Sequence, residues 1–320
     1  MKKQFLIILS ILLILTNCNY EFTNRIEGNW IGLKQTIVFD KDTIVENFHL
    51  ILSIDKDSIS TRNFKLIDSR DSLSKSSYLL IDSILIISQN TKSTDSLKID
   101  FLNNNLIELS IPNTKYTFAR LVDPPPKPQT INLAGNIYTI SDSIQVIDTI
   151  EFMENKSLLI YNLYSIPTLL NEWRVKQYLG FSFLIIDNPE IPVFFVQKTA
   201  GKIELKREPE SNIGWVLKKI KKEKKFKRSE LIGKWTGKSN RPDIELNFIF
   251  DFDSVQMNEF TGGEMVTAKY SLNLNGTKMF CFHKYASGNI FYEIENIRND
   301  SLYLKRLTPI EDSFVLTKVK

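Results

Sequence analysis

The sequence predicts an all-β chain of three tandem small antiparallel β-barrel or sandwich units, on two observations. Short apolar or alternating runs recur throughout, among them Phe48 to Ile54, Tyr78 to Ile87, Phe181 to Ile186, Glu245 to Phe252 and Phe291 to Ile297. Alternation of period two marks strands, and the Asn, Asp, Ser and Gly residues between the runs favour turns. A matched pair of strands also returns at a nearly fixed period. The one rival to a strand reading is Thr168 to Tyr178, where Leu169, Leu170, Trp173 and Tyr178 would share a helix face.

The repeat sets the boundaries. Closing strands Tyr116 to Leu121, Gly214 to Ile220 and Ser313 to Val319 place Phe118, Trp215 and Phe314 97 and 99 residues apart. Each follows a similar strand: Leu106 to Leu109, Lys202 to Leu205 and Ser301 to Leu304. The openings also agree, as Ile26-Glu27-Gly28-Asn29-Trp30, Leu133-Ala134-Gly135-Asn136-Ile137 and Ile232-Gly233-Lys234-Trp235. The units therefore cover residues 26–122, 131–220 and 230–320. A linker at 123–130 carries Pro124-Pro125-Pro126-Lys127-Pro128 and should be stiff and extended, and a basic linker occupies 221–229.

Ahead of the units, Lys2 and Lys3 precede an apolar run from Phe5 to Leu15 broken only by Ser10. That run has the length of a signal-peptide core and is short of the ~20 helical residues needed to span a bilayer. Leu15-Thr16-Asn17-Cys18 resembles the lipobox of bacterial lipoproteins, with Asn17 standing where that family has a small residue. The resemblance implies a signal peptide at 1–17, acylation of Cys18, and a short tether at 18–25. It places the chain in the cell envelope, membrane-anchored by its lipid. Asn19 in place of Asp is similar to the sorting pattern for the outer membrane.

Gly28-Asn29-Trp30 and Gly233-Lys234-Trp235, each opening a unit with a basic residue on its last strand, resemble lipocalins and the shorter lipocalin-like domains of bacterial lipoproteins. In that family the Trp closes one barrel end and a terminal-strand cation packs over its ring. The resemblance assigns barrel closure to Gly28, Trp30 and Arg120 in the first unit and to Gly233, Trp235 and Lys318 in the third. The second unit has Ile137 in place of Trp, with Lys218 or Lys219 opposite. A cation on an indole face gains about 0.5 to 2 kcal/mol, and glycine lets the first strand bend.

Charge narrows the classes of partner. The chain has 41 basic and 37 acidic residues, and eight of the basic ones lie between Lys218 and Arg228, so the high pI is local. With only Phe226 inside it, that run lacks the aromatic interleaving of single-strand nucleic-acid binders, and no nucleic-acid partner is expected. It reads as a solvated linker. One cysteine beyond Cys18 leaves no internal disulfide in the mature chain.

Chemistry-bearing motifs are sparse. His49 and His283 fall in different units without a metal-like partner at short spacing. Cys281 stands two residues from His283, either as a core cysteine or as a thiol beside a base. No phosphate loop, Gly-x-Ser-x-Gly elbow or His-Glu-x-x-His is present. No catalytic residue, cofactor or metal is assigned.

Asp followed by Ser or Thr and an aliphatic residue recurs at Asp42, Asp57, Asp71, Asp82, Asp95, Asp142, Asp148, Asp253 and Asp300. It resembles the acceptor of an envelope O-glycosylation system, and it is also good turn chemistry at the start of a strand. The expected role is non-catalytic binding of a small apolar ligand or an envelope protein. The alternative is a structural spacer.

Overall fold

A computed structural model describes residues 25–320 except 41, 64–72, 90–92, 125–129, 142–145, 162–166, 171, 189–190, 209–213, 222, 239–244, 260–263, 283–289 and 309–310. Cys18, most of the proline linker and His283 lie outside the described residues. All three sheets are antiparallel, and among the described residues no helix is long and apolar enough to cross a membrane.

The first sheet comprises β1 (Gly28–Phe39), β2 (Asp42–Asn47), β3 (Leu50–Ile54), β4 (Ser58–Asn63), β5 (Leu73–Ile81), β6 (Ile84–Gln89), β7 (Ser93–Asn103), β8 (Leu106–Ile111) and β9 (Thr114–Arg120). β3 to β9 run as a meander and β9 returns to pair with β1, so β1 and β3 to β9 close a ring. β1 is long enough to pair with β3 through Gly28 to Ile31 and with β2 through Lys34 to Phe39. The run Tyr78 to Ile87 is two strands, because Asp82 adopts φ 53° and turns the chain between them.

The third sheet repeats this plan with β19 (Gly233–Lys238), β20 (Glu245–Phe250), β21 (Ser254–Met257), β22 (Val266–Leu272), β23 (Lys278–Phe282), β24 (Ile290–Arg298), β25 (Ser301–Thr308) and β26 (Asp312–Lys318) in a closed barrel. Correspondence between the two barrels extends to single bonds. Asp55 N donates to Ser58 O at 2.8 Å, as Asp251 N does to Ser254 O at 2.9 Å. The Tyr78 hydroxyl donates to Asp55 O at 2.8 Å, and that of Tyr270 to Asp251 O at 2.9 Å. Two of the Asp-Ser pairs, at Asp57 and Asp253, thus serve these equivalent turns.

The second sheet is built from β10 (Asn136–Ser141), β11 (Val146–Phe152), β12 (Leu158–Tyr161), β13 (Pro167–Leu170), β14 (Trp173–Tyr178), β15 (Phe181–Ile186), β16 (Phe194–Thr199), β17 (Lys202–Lys206) and β18 (Gly214–Ile220). Its first and last strands are neighbours, as in the barrels, but among the described residues the sheet ends on β13 and β14, which are not paired with each other. Thr168 to Tyr178 is therefore not a helix: β13 pairs with β12, and β14 with β15, which suits the β-forming Trp173, Val175 and Tyr178.

Two compact units result, residues 1–131 with 172–216, and 132–171 with 217–320. In the first, the outward residues Ile31, Ile51, Ala119 and Leu121 of the β1–β9 barrel are covered by Phe181, Phe183, Ile185, Val193 and Phe195. In the second, Ile137, Met153 and Leu159 pack on Leu274, Phe280 and Phe291. There the buried carboxylate of Glu151 accepts from the Tyr161 hydroxyl at 2.7 Å, Asn273 Nδ2 at 3.2 Å and Leu274 N at 2.9 Å. These bonds satisfy a charge whose desolvation would otherwise oppose folding.

The basic run departs from the solvated-linker reading. Lys221, Lys224 and Lys225 are exposed, but Phe226 is 6% exposed in the third barrel's core, and Lys225 N donates to Asn275 O at 2.9 Å. A short helix, α1 (Arg228–Leu231), follows, and Arg228 lies 4.9 Å over the Tyr270 ring. One aromatic side chain seats the end of the run on the barrel.

Candidate functional site

One end of each barrel is closed in the same way. Trp30 is directly opposite Arg120 across β1 and β9, and Trp235 opposite Lys318 across β19 and β26. The Arg120 guanidinium sits 4.5 Å from the Trp30 ring centroid and the Lys318 ammonium 5.1 Å from that of Trp235. Each indole is fully enclosed, and its Nε1 donates to the carbonyl four residues earlier, Ile26 at 2.8 Å or Leu231 at 2.7 Å. Neither indole donor is left unpaired, which avoids a cost of about 1 to 3 kcal/mol for each. Gly28 and Gly233 hold φ of 131° and 126°, a conformation that side chains strain, at the point where each first strand bends into the barrel. Burial, with help from Arg25, lowers the affinity of the Arg120 guanidinium for its proton.

Above this floor the two barrels differ. The first contains a cavity of about 670 Å³, and in the third the described inward side chains, Phe248, Met257 and Tyr292 among them, are packed into one buried core. Matching registers explain the difference position by position. Trp30 faces Leu52 where Trp235 faces Phe248. Leu85 and Ile87 face Leu97 and Asp95, where Met279 and Cys281 face Tyr292 and Ile290. Counting from the equivalent turns, Thr61 corresponds to Met257, and Ser74 and Ser76 to Val266 and Ala268. Larger side chains thus occupy the third barrel where Leu, Thr and Leu line the first. Phe248 and Tyr292 meet edge to face with centroids 6.1 Å apart.

A polar plug completes the third barrel. Arg306, at the place of Ile111, donates to the buried Glu259 carboxylate, which also accepts from the Tyr292 hydroxyl. Arg306 lies 3.6 Å from Asp312 and covers the Phe314 ring at 5.4 Å. The sequence reading did not find Glu259 or Arg306, since neither belongs to a motif.

The cavity of the first barrel is apolar over most of its wall, with Leu50, Leu52, Ile59, Leu97, Leu109 and Phe118, and with Ile111 and Pro112 at the end away from Trp30. Phe48 lines it beside Tyr116, ring centroids 4.9 Å apart. Farther along β4, β5 and β7, in the direction away from Trp30, the inward side chains are Thr61, Ser74, Ser76 and Asp95, and Gln35 lies opposite Tyr116. The register puts Ser74 against Thr61, Ser76 against Ile59 and Asp95 against Ile87. A pocket of roughly 300 to 1,000 Å³ with apolar walls and few polar groups is what small-molecule sites offer.

The other residues singled out in the sequence stand apart from this cavity. Cys281 is fully buried among apolar neighbours in the third barrel, and burial pushes its thiol up, away from the reactive thiolate. His49 lies between β2 and β3. Among the described residues no three His, Cys, Asp or Glu side chains are grouped to hold a metal.

No protein-family model matches the chain, and no curated protein does. Among solved structures, a lipocalin-like protein from Bacteroides uniformis is 18% identical with a TM-score of 0.27, matching 30% of this chain and 99% of its own. An uncharacterised protein from Bacteroides eggerthii is 14% identical with a TM-score of 0.25, over 30% of this chain and 98% of its own. A protein of unknown function from Nostoc punctiforme, 9% identical with a TM-score of 0.20, extends over 92% of this chain and 97% of its own. The assignment of lipocalin-like barrels rests on the strand order, ring closure and registers of the chain itself.

Proposed function

We propose that this chain is a non-catalytic, lipid-anchored envelope protein whose first barrel binds a small apolar molecule. One observation carries the binding role: of two barrels built on the same plan in the same chain, one is filled by Phe248, Met257 and Tyr292, and the other keeps a cavity of about 670 Å³. A barrel that needed only to fold would be stabilised by filling that space, since each buried methylene contributes about 0.8 kcal/mol. The filled third barrel supports a structural part for the second compact unit. Anchoring rests on Cys18 and the apolar run before it.

The test is a titration of the purified chain with an apolar fluorescent probe. Saturable binding is expected, and filling the space with Leu97→Tyr and Thr61→Met, the residues of the third barrel, should abolish it without lowering the thermal midpoint. Probe binding that survives both substitutions would place the site elsewhere and overturn the proposal.

A further inference from the structure

The outside of the first barrel carries an apolar patch near its Trp30 end. Asp82 and Ser83 turn the chain between β5 and β6, with Ile81 opposite Ile84 and Leu79 opposite Ile86. Tyr78, Leu80, Leu85 and Ile87 face the core, so the alternate residues Leu79, Ile81, Ile84 and Ile86 face out. In the neighbouring hairpin Leu102 is the extra residue of a β-bulge, since Phe101 pairs with Ile107 and Asn103 with Leu106. Leu79, Ile81, Ile84 and Leu102 are 45% to 58% exposed. The turns at this end of the barrel, residues 55–57, 82–83 and 104–105, all belong to the described residues.

We infer that this patch rests on the surface of the membrane to which the lipid on Cys18 tethers the chain, an inference that depends on the anchor proposed above. The path of the chain argues for it. The Arg25 guanidinium lies 4.1 Å over the Phe101 ring, and the Arg25 carbonyl accepts from the Arg120 guanidinium. The chain therefore enters the barrel beside the strand that carries Leu102. From Cys18 to Arg25 an extended chain reaches about 25 Å at most, which holds this end of the barrel close to the bilayer. The make-up of the patch argues for lipid over protein. Counting from Tyr78 and its counterpart Tyr270, Ile81 corresponds to Asn273, which is buried and donates to Glu151 and Tyr161. Covering protein is matched there by hydrogen bonds. Leu79, Ile81, Ile84 and Leu102 offer aliphatic carbon alone, whose burial is non-directional. Lys98 and Asp100, on the outward side of β7, pair with each other at 2.9 Å. Four side chains carry fewer methylene and methyl groups than two or three acyl chains, so the lipid holds the chain and the patch sets which side of the barrel meets the bilayer.

The test uses the full lipidated chain in phosphatidylcholine vesicles, whose lack of net charge leaves the apolar contact to be read. Leu79→Cys, Ile84→Cys and Leu102→Cys each receive an environment-sensitive thiol dye, with Val45→Cys, exposed at the opposite end on β2, as reference. Cys281 is buried and an acylated Cys18 has no free thiol, so the parent should take up no dye. All four sites are exposed, and unchanged melting of the variants verifies the fold. At the three patch positions emission should move to shorter wavelength on reconstitution, and nitroxides on the lipid acyl chains should quench it several-fold more than at Val45→Cys. Equal quenching at all four positions, or none while the chain stays on the vesicles, overturns the inference and leaves the anchor standing. A wavelength shift without nitroxide quenching assigns the patch to a second copy of the chain and overturns it as well. Dye on Cys18 in the parent removes the anchor and this inference together.

Discussion

Trp30 and Trp235 show how few side chains fix a barrel end. Each combines full burial, a bonded Nε1 and a cation on its ring, and each is reached from a glycine of positive φ. The second sheet lacks this device: Ile137 replaces the indole and packs instead with Phe280 and Phe291 in the second compact unit. Asp148 on β11 illustrates a residue that works against its surroundings. Burial raises its carboxyl above the ordinary value of 3.8, so the fold prefers the protonated form. Stability from that preference is complete below pH 3.8 and is lost as pH rises through the folded-state value. Asp148→Asn should therefore raise the thermal midpoint at neutral pH, with the gain shrinking as pH falls toward 3.8. Melting curves of both proteins from about pH 3 to about pH 7 check the sign. A gain that is constant with pH would assign the effect to something other than the charge.

At the scale of elements, the hairpins were legible and the cavity was not. The pairs β8–β9, β17–β18 and β25–β26 lie where the repeated sequence places them, because strand alternation and turn residues are local signals. The cavity wall inverts that signal. On β5 the inward side is Ser74, Ser76, Tyr78 and Leu80 while Leu79 is 58% exposed, so a reading of polar-out and apolar-in assigns half of the strand to the wrong face. The lack of pairing between β13 and β14 in the second sheet was hidden as well, since its strands carry the same periodicity as the barrels. The third barrel's plug makes an energetic test of its own. Arg306→Met would strand the buried Glu259 carboxylate and should cost about 3 to 5 kcal/mol, and adding Glu259→Met should restore most of it. Urea unfolding of the single and double variants reads the difference; additive losses would mean that the pair is not coupled.

For the whole molecule, the fold and the N-terminal sequence describe different things. Two compact units and their cores account for the fold, whereas the proposed envelope location rests on the first eighteen residues. The link between them is the ligand. In the proposed reading, a cavity that takes a small apolar molecule gains from being held where such molecules concentrate, and a lipid on Cys18 would supply that by tethering the chain to a membrane. One acyl chain binds marginally at about 0.8 kcal/mol per buried methylene, and two or three make release slow. With its signal sequence retained, the Cys18→Ser variant should therefore move from the membrane pellet to the soluble fraction while its probe affinity stays that of the parent. A variant that still sediments with membranes would remove the lipid anchor. A variant that is released but no longer binds the probe would show that the cavity depends on the membrane, against the self-contained β1–β9 barrel described above.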